Sequence, residues 1–294
     1  MLGPRLRCAG MLVAVFAAPA HATVSVVDDT GARVTMSAPA QRIVTLAPHA
    51  TELVFAAGAG ASIVGVVAGS DHPADAARLP IVGDATALDV ERIVMLAPDL
   101  IVTWPWTVPA QVERLRAHGI AVFEADSHTA GGIADDLERI GVLTGHEAVA
   151  GAAATAFRVR LAEVAHGQSG LPPLRVFYQV SELPLFTLGG RHLVSDALRQ
   201  CGGQNVFAAL PIPAPQVNVE AVLAANPQVI VAGTDGAERP AWLDRWRRWP
   251  ALDAVRHDAL YTVDANLLHR PGPRFADGVA QLCDAIARAR RADR

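Results

Sequence analysis

The sequence has no lysine, and every basic side chain in it is arginine. A GC-rich genome accounts for that bias as well as any function would, so nothing functional follows from it. The missing basic excess is more informative. With a formal net charge of -4 the chain has no field to draw in phosphate, which argues against nucleic acid as a partner. Beyond the N-terminus no segment reaches the roughly 20 apolar residues that a transmembrane helix needs. Catalytic signatures are also missing: there is no GxSxG elbow, no Walker A loop, no GxGxxG after the first strand and no CxxC pair. His49, His72, His128, His192 and His269 do not share the spacing of a motif such as HExxH. No histidine-rich loop offers the convergent ligands of a bare zinc or manganese site. Asp135 and Asp136 read as a solvated helix face rather than an acid–base pair. Neither a catalytic set nor a metal set is expected.

Cysteine is scarce, with only three residues. The first, Cys8, falls in a segment where Arg5 and Arg7 precede an apolar stretch from Ala9 to Ala18, followed by the small-x-small site Ala20-His21-Ala22. This pattern reads as a secretory signal peptide over residues 1–22, with the mature chain starting near Thr23. Removing it leaves Cys201 and Cys283. Two cysteines in an exported chain predict a disulfide; two unpaired buried thiols are the alternative.

Among the features present, one module occurs twice, 129 positions apart. Asp89-Val90-Glu91 opens the first copy and Asn218-Val219-Glu220 the second. Asp89 and Asn218 are N-cap residues able to satisfy an orphan amide at a helix start, and each glutamate lies in the first turn, where the helix dipole favours negative charge. Each helix must stop before Pro98 or Pro227, and the apolar runs Leu100-Ile101-Val102 and Val229-Ile230-Val231 then read as buried strands. Two copies imply two similar lobes with a cleft between them.

Strand and helix patterns alternate through the rest of the chain, the mark of parallel α/β lobes. The expected organisation is a hairpin and N-terminal α/β lobe over residues 23–145, a long linking helix over 146–168, and a C-terminal α/β lobe over 169–294. Alanine-rich sequence without proline supports the linking helix, which at 1.5 Å per residue would run roughly 30 Å and restrict hinge opening. The fold class is α/β: two similar Rossmann-like lobes joined by one long inter-lobe helix, with the ligand cleft between them.

Several short motifs occur in a telling order: Arg42-Ile43-Val44-Thr45-Leu46-Ala47-Pro48-His49-Ala50-Thr51-Glu52, Ser70-Asp71-His72-Pro73, Pro98-Asp99-Leu100-Ile101, Cys201-Gly202-Gly203-Gln204-Asn205-Val206-Phe207 and Leu282-Cys283. Together they resemble the helical-backbone periplasmic binding proteins of ABC importers for cobalamin, haem and ferric siderophores, across nearly all of the mature chain. The resemblance implies a monomeric periplasmic receptor that captures a corrinoid, with a ferric siderophore or haem as the alternative ligand. It also implies docking of Glu91 and Glu220 onto arginines of a permease dimer. By the same resemblance, Trp104, Phe186 and Arg270 match pocket positions of the corrinoid-binding members, with Trp106, Tyr178 and Asn266 as further contacts. Flat aromatic faces would cover the macrocycle and arginine would address its polar edge. The chain departs from those members at Gly69, Ala85 and Ala214, where they carry aromatics, and at Asn266, where they carry an aspartate. A haem ligand would draw His72 or His269 towards the iron. No cofactor is expected; the bound chelate is cargo. From another class, the alternative is a periplasmic enzyme or metal chaperone on the same scaffold.

Overall fold

The structure, a computed structural model, describes residues 23–166, 171–235 and 238–292. The signal-peptide reading therefore falls on residues outside the described ones, as do the last residues expected of the linking helix. Among the described residues no helix is long and apolar enough to cross a membrane.

The N-terminal ribbon pairs β1 (Val24–Val27) with β2 (Arg33–Met36) in antiparallel register. The Asp28 carboxylate folds its turn by accepting from the amides of Thr30 and Ala32 and from the Thr30 hydroxyl. Four parallel strands follow: β3 (Ile43–Thr45), β4 (Ile63–Val66), β5 (Leu100–Thr103) and β6 (Ala121–Glu124), in spatial order β4-β3-β5-β6. Around them lie α1 (Pro48–Ala56), α2 (Val90–Met95), α3 (Pro109–Ala117) and α4 (Ala130–Thr144). Proline at the first position of α1 is tolerated because that amide needs no helical partner.

The second sheet contains β7 (Leu174–Gln179), β8 (Gly203–Asn205), β9 (Val229–Thr234) and β10 (Leu260–Asp264), ordered β10-β9-β7-β8 and again parallel. Numbered within its own lobe, each sheet has the order second-first-third-fourth. The repeated module supplies the third strand of both: α2 leads into β5, and α7 (Val219–Ala225) leads into β9. The remaining helices are α6 (Leu193–Gln200), α8 (Asp253–Arg256), α9 (Ala265–Leu268) and α10 (Phe275–Ala292). The tryptophan-rich stretch Leu243–Arg248 is a 3-10 helix.

Helix α5 (Glu147–Ala165) runs from the first lobe to the second and packs on α4 and α10. Its contact with α4 is close because Gly141 has no side chain: a Cβ there would lie 2.4 Å from the Ala150 methyl. Ala150, Ala154, Phe157 and Leu161 form its buried stripe, at the i, i+4, i+7, i+11 spacing of one helix face. Burying Phe157 and Leu161 contributes about 2 kcal/mol each. This stripe belongs to a single apolar cluster that includes Ile43 and Leu53 of the first lobe and Phe275 and Ile286 of the second, so the two lobes share one core. The outer face of each sheet carries a separate, smaller cluster. Cys201 and Cys283 form a disulfide, with an S–S distance of 2.01 Å, joining the end of α6 to α10.

One reading is corrected. Asp135 faces solvent, but Asp136 is buried, because it shares a helix face with Ile133, Leu137 and Ile140. Its carboxylate accepts from the Ser127 hydroxyl and from Arg139, and Arg139 also binds Asp29 of the ribbon turn. Burial, with the Asp29 charge adding to it, raises the Asp136 pKa to about 8.

Candidate functional site

In a parallel sheet with this strand order, ligands bind outside the carboxyl ends of the strands, where the connections diverge from the first strand. In the N-terminal lobe that point lies between β3 and β5; Trp104 follows β5 directly, and His49 is the second residue of α1, the helix after β3. Thr103 donates to the Thr107 hydroxyl at 2.8 Å, and Thr107 donates to the Leu46 carbonyl, which pins the Trp104-Pro105-Trp106 loop to the sheet. Trp104 is half-buried and meets the His49 ring edge-on, with centroids 4.9 Å apart. Trp106 stands out at 61% exposure.

His49 is 2% exposed. Burial lowers its pKa to about 3, opposed by a hydrogen bond to the Ala125 backbone and assisted by the Arg270 charge. Its Nε2 has no hydrogen-bond partner among the described residues.

The C-terminal lobe supplies Arg270 and Asn266 from the end of β10 onward. Asp264 caps α9 by accepting from the Asn266 amide at 2.8 Å, which fixes the backbone there. Arg270 donates to Asn266 Oδ1 at 3.2 Å and reaches across to Asp71 of the other lobe at 2.8 Å. Partial burial alone would raise the Asp71 pKa, but hydrogen bonds from Arg270 and His72 outweigh it and hold it at about 2. A second crossing lies beside this one. Arg274 grips Glu52 of α1 through Nε at 2.9 Å and Nη2 at 2.7 Å, and Arg270 stands 3.6 Å from the same carboxylate. Elsewhere along the cleft the Ala130 amide donates to Asp196 across the lobes at 2.9 Å.

Phe186 is half-buried in the loop after β7, bridged to Ser181 and Gln216. Tyr178 is not a cleft residue. It lies fully buried on β7, on the same side of the strand as Val176, within the shared core. Gly233 on the neighbouring strand makes room for it, since a Cβ there would come 2.4 Å from the tyrosine hydroxyl. That hydroxyl hydrogen-bonds His269 Nε2 at 3.0 Å, so Tyr178 orients a cleft-side histidine instead. The His192 ring is 6.2 Å from the His269 ring. Burial, followed by the His269 and His128 charges, lowers the His192 pKa to about 3. His72 is about half-exposed beside Asp71. No group of three or more His, Cys, Asp or Glu among the described residues is arranged to hold a metal ion.

The repeat glutamates occupy equivalent first turns. Asp89 accepts from the Arg92 amide at 2.9 Å and Asn218 from the Ala221 amide at 2.8 Å, so both caps form. Glu91 and Glu220 are exposed at helix starts. Their surroundings differ: Glu91 lies 3.7 Å from Arg114, whereas Glu220 borders a groove of about 430 Å³ that includes Leu183, Trp242 and Trp249.

Sequence reasoning missed the Glu52–Arg274 clasp and did not single out His49 among the histidines. Pro48 at the start of a helix directly after a buried strand was the available signal for His49.

Two like lobes, a cleft at their matching strand ends and ion pairs across it define the class of two-lobed solute receptors. A family model for the periplasmic binding proteins matches residues 43–267, and the chain belongs to that family. The chain is 38% identical over 247 residues to the vitamin B12-binding protein of Vibrio cholerae serotype O1, covering 83% of this chain and 88% of that one. It is similar to the crystal structure of the periplasmic vitamin B12 binding protein BtuF of Vibrio cholerae, with a TM-score of 0.79 and 38% identity, covering 86% of this chain and 99% of that chain. It is also similar to a periplasmic haem binding protein from Pseudomonas aeruginosa, with a TM-score of 0.69 and 25% identity, covering 84% and 92% of the two chains.

Proposed function

We propose that this chain is a periplasmic receptor that captures a corrinoid, cobalamin first, between its lobes and delivers it to an ABC importer. The observation that carries this reading is the 38% identity to a vitamin B12-binding protein over 83% of the chain. The cleft chemistry agrees with it. Trp104 and Trp106 from one lobe and Phe186 from the other offer aromatic faces to a flat ring, while Arg270 and Asn266 offer hydrogen bonds to its edge. The protein acts as a monomer, bears its signal peptide at residues 1–22, and does no chemistry on its cargo.

Glu91 and Glu220 are the docking residues, each meeting an arginine of one permease subunit. Charge pairs at such a rim give register and association rate more than raw affinity. Glu91→Ala combined with Glu220→Ala should abolish corrinoid uptake in cells while cyanocobalamin affinity stays unchanged; a loss of affinity would remove the docking assignment.

Haem is the second reading, favoured by the haem-binding structural relative. Titration of tryptophan fluorescence with cyanocobalamin, haemin and a ferric siderophore, confirmed by calorimetry, separates the readings. Saturable sub-micromolar corrinoid binding supports the first, and binding of haemin alone moves the pocket to the second.

A further inference from the structure

The lobes touch at both ends of the cleft. Asp71 lies in the connection after β4 and Arg270 in the one after β10, and both strands are edges of their sheets. Both connections leave the carboxyl ends of parallel strands, the side on which ligands sit. The 2.8 Å hydrogen bond between Arg270 and Asp71 therefore closes one end of the cleft. Ala130 and Asp196 meet at the other, where β6 and β8 are the edge strands. The first of these end walls is charged on both sides and balanced. Arg274 is taken up by Glu52 through two hydrogen bonds, at 2.9 and 2.7 Å. Arg270 donates through Nη1 to Asp71 and through Nη2 to the neutral Asn266, and it stands 3.6 Å from Glu52. Two guanidiniums thus face two carboxylates. His72 also faces the wall, with Nδ1 3.2 Å from the same Asp71 oxygen.

An arginine with no counter-ion attracts any carboxylate that reaches it. Arg270 already has one, supplied by the opposite lobe, and Asp71 stays ionised because the hydrogen bonds from Arg270 and His72 outweigh its partial burial. A ligand carboxylate arriving at Arg270 would therefore meet a second negative charge beside it, and like charges in contact repel. A neutral amide oxygen meets no such opposition. Among the described residues the hydrogen bonds to Asp71 and Asn266 take two of the five guanidinium N–H groups, which leaves donors for that oxygen. We infer that Asp71 determines specificity: by neutralising Arg270 across the lobes, it leaves the arginine as a donor to amide-edged ligands and turns away carboxylate-edged ones. Corrinoids are of the first kind; haem, with its propionates, and the acid form of the corrin ring are of the second. The inference rests on the corrinoid reading and assigns its edge selectivity.

The test compares dicyanocobinamide with dicyanocobyrinic acid, which has the same ring with carboxylates in place of amides. Cyanide on both faces of the cobalt removes axial coordination from the comparison. Affinities are measured by calorimetry for wild type, Asp71→Asn and Asp71→Ala, with cyanocobalamin as a control. Asp71→Asn keeps an oxygen for Arg270 and removes only the charge. It should bind the acid roughly tenfold more tightly than wild type does, while its affinity for cobinamide stays within about threefold. Structural damage would weaken both ligands alike, so a gain for the acid alone marks selectivity. Asp71→Ala should shift the preference in the same direction, and it carries the test if Asp71→Asn does not fold. An unchanged affinity for the acid, or an equal loss for both ligands, overturns the inference; cyanocobalamin binding by wild type then leaves the corrinoid reading standing. Wild type that binds the acid as tightly as cobinamide also overturns it. Wild type that binds no corrinoid removes both the reading and the inference.

Discussion

The Glu52–Arg274 clasp is the contact whose removal has the most calculable effect. Glu52 is 5% exposed and Arg274 27% exposed, and two charge-assisted hydrogen bonds join them across the lobes. Arg274→Met strips the main partner from a buried carboxylate, a change that typically costs 3–5 kcal/mol. Arg270, 3.6 Å from the same carboxylate, remains and compensates in part, so the expected loss is about 3 kcal/mol. Glu52→Leu is milder, about 1 kcal/mol, because the arginine it frees can turn towards water. The double variant replaces both charges with apolar groups and should lose only about 1–2 kcal/mol, which leaves a coupling of about 2 kcal/mol between the two sites. Urea unfolding of the four proteins measures this cycle, with equal slopes required so that the free energies are comparable. Additive single effects, or a loss below about 0.5 kcal/mol in Arg274→Met, would refute the reasoning, because the carboxylate would then have to be solvated.

Further expectations concern the disulfide, a buried acid and the aromatic face. The bridge closes a separation of 82 residues, for which chain entropy gives about 4.5 kcal/mol as an upper value; Cys201→Ala with Cys283→Ala should lower the urea midpoint, and an unmoved midpoint contradicts the entropic account. Asp136 has a folded pKa of about 8, above the ordinary value near 3.9, so the stability it contributes is complete below about pH 4 and is lost as the pH rises through about 8. Asp136→Asn should therefore flatten the fall in unfolding free energy between about pH 4 and 8, whereas parallel profiles for wild type and variant would contradict the raised pKa. Trp104→Ala should weaken cyanocobalamin binding by roughly 10–100-fold in calorimetry, and an unchanged dissociation constant would remove Trp104 from the ligand face.

Helix starts and strand runs were legible because their determinants are local. Asp89 and Asn218 announce the caps that both form, and Leu100-Ile101-Val102 reads as the buried strand it is. Strand β8 passed unnoticed because Gly203-Gln204-Asn205 has neither length nor alternation, and its pairing with β7 is tertiary. Tyr178 misled for a related reason: β7 is buried on both faces, so its sequence gives no sign of which side chains reach the cleft. Asp136 was legible and misread, since it falls on the same helical stripe as Ile133 and Leu137. The Glu52–Arg274 clasp joins residues 222 positions apart, and nothing in either neighbourhood marks the other as its partner. The paired glutamates were visible only because the module repeats.

The apolar cluster that runs through α5 from one sheet to the other has a consequence for how the protein can be taken apart. Two sheets of the same strand order invite the view of two modules that could be exchanged, expressed singly or recombined with those of a relative. Each half, however, would expose the alanine face of α5 or the surface that receives it, together with the core of its own sheet. The lobes are duplicates in topology but a single cooperative unit in unfolding, so the receptor should melt in one transition, and chimaeras should survive only when α4, α5 and α10 travel together.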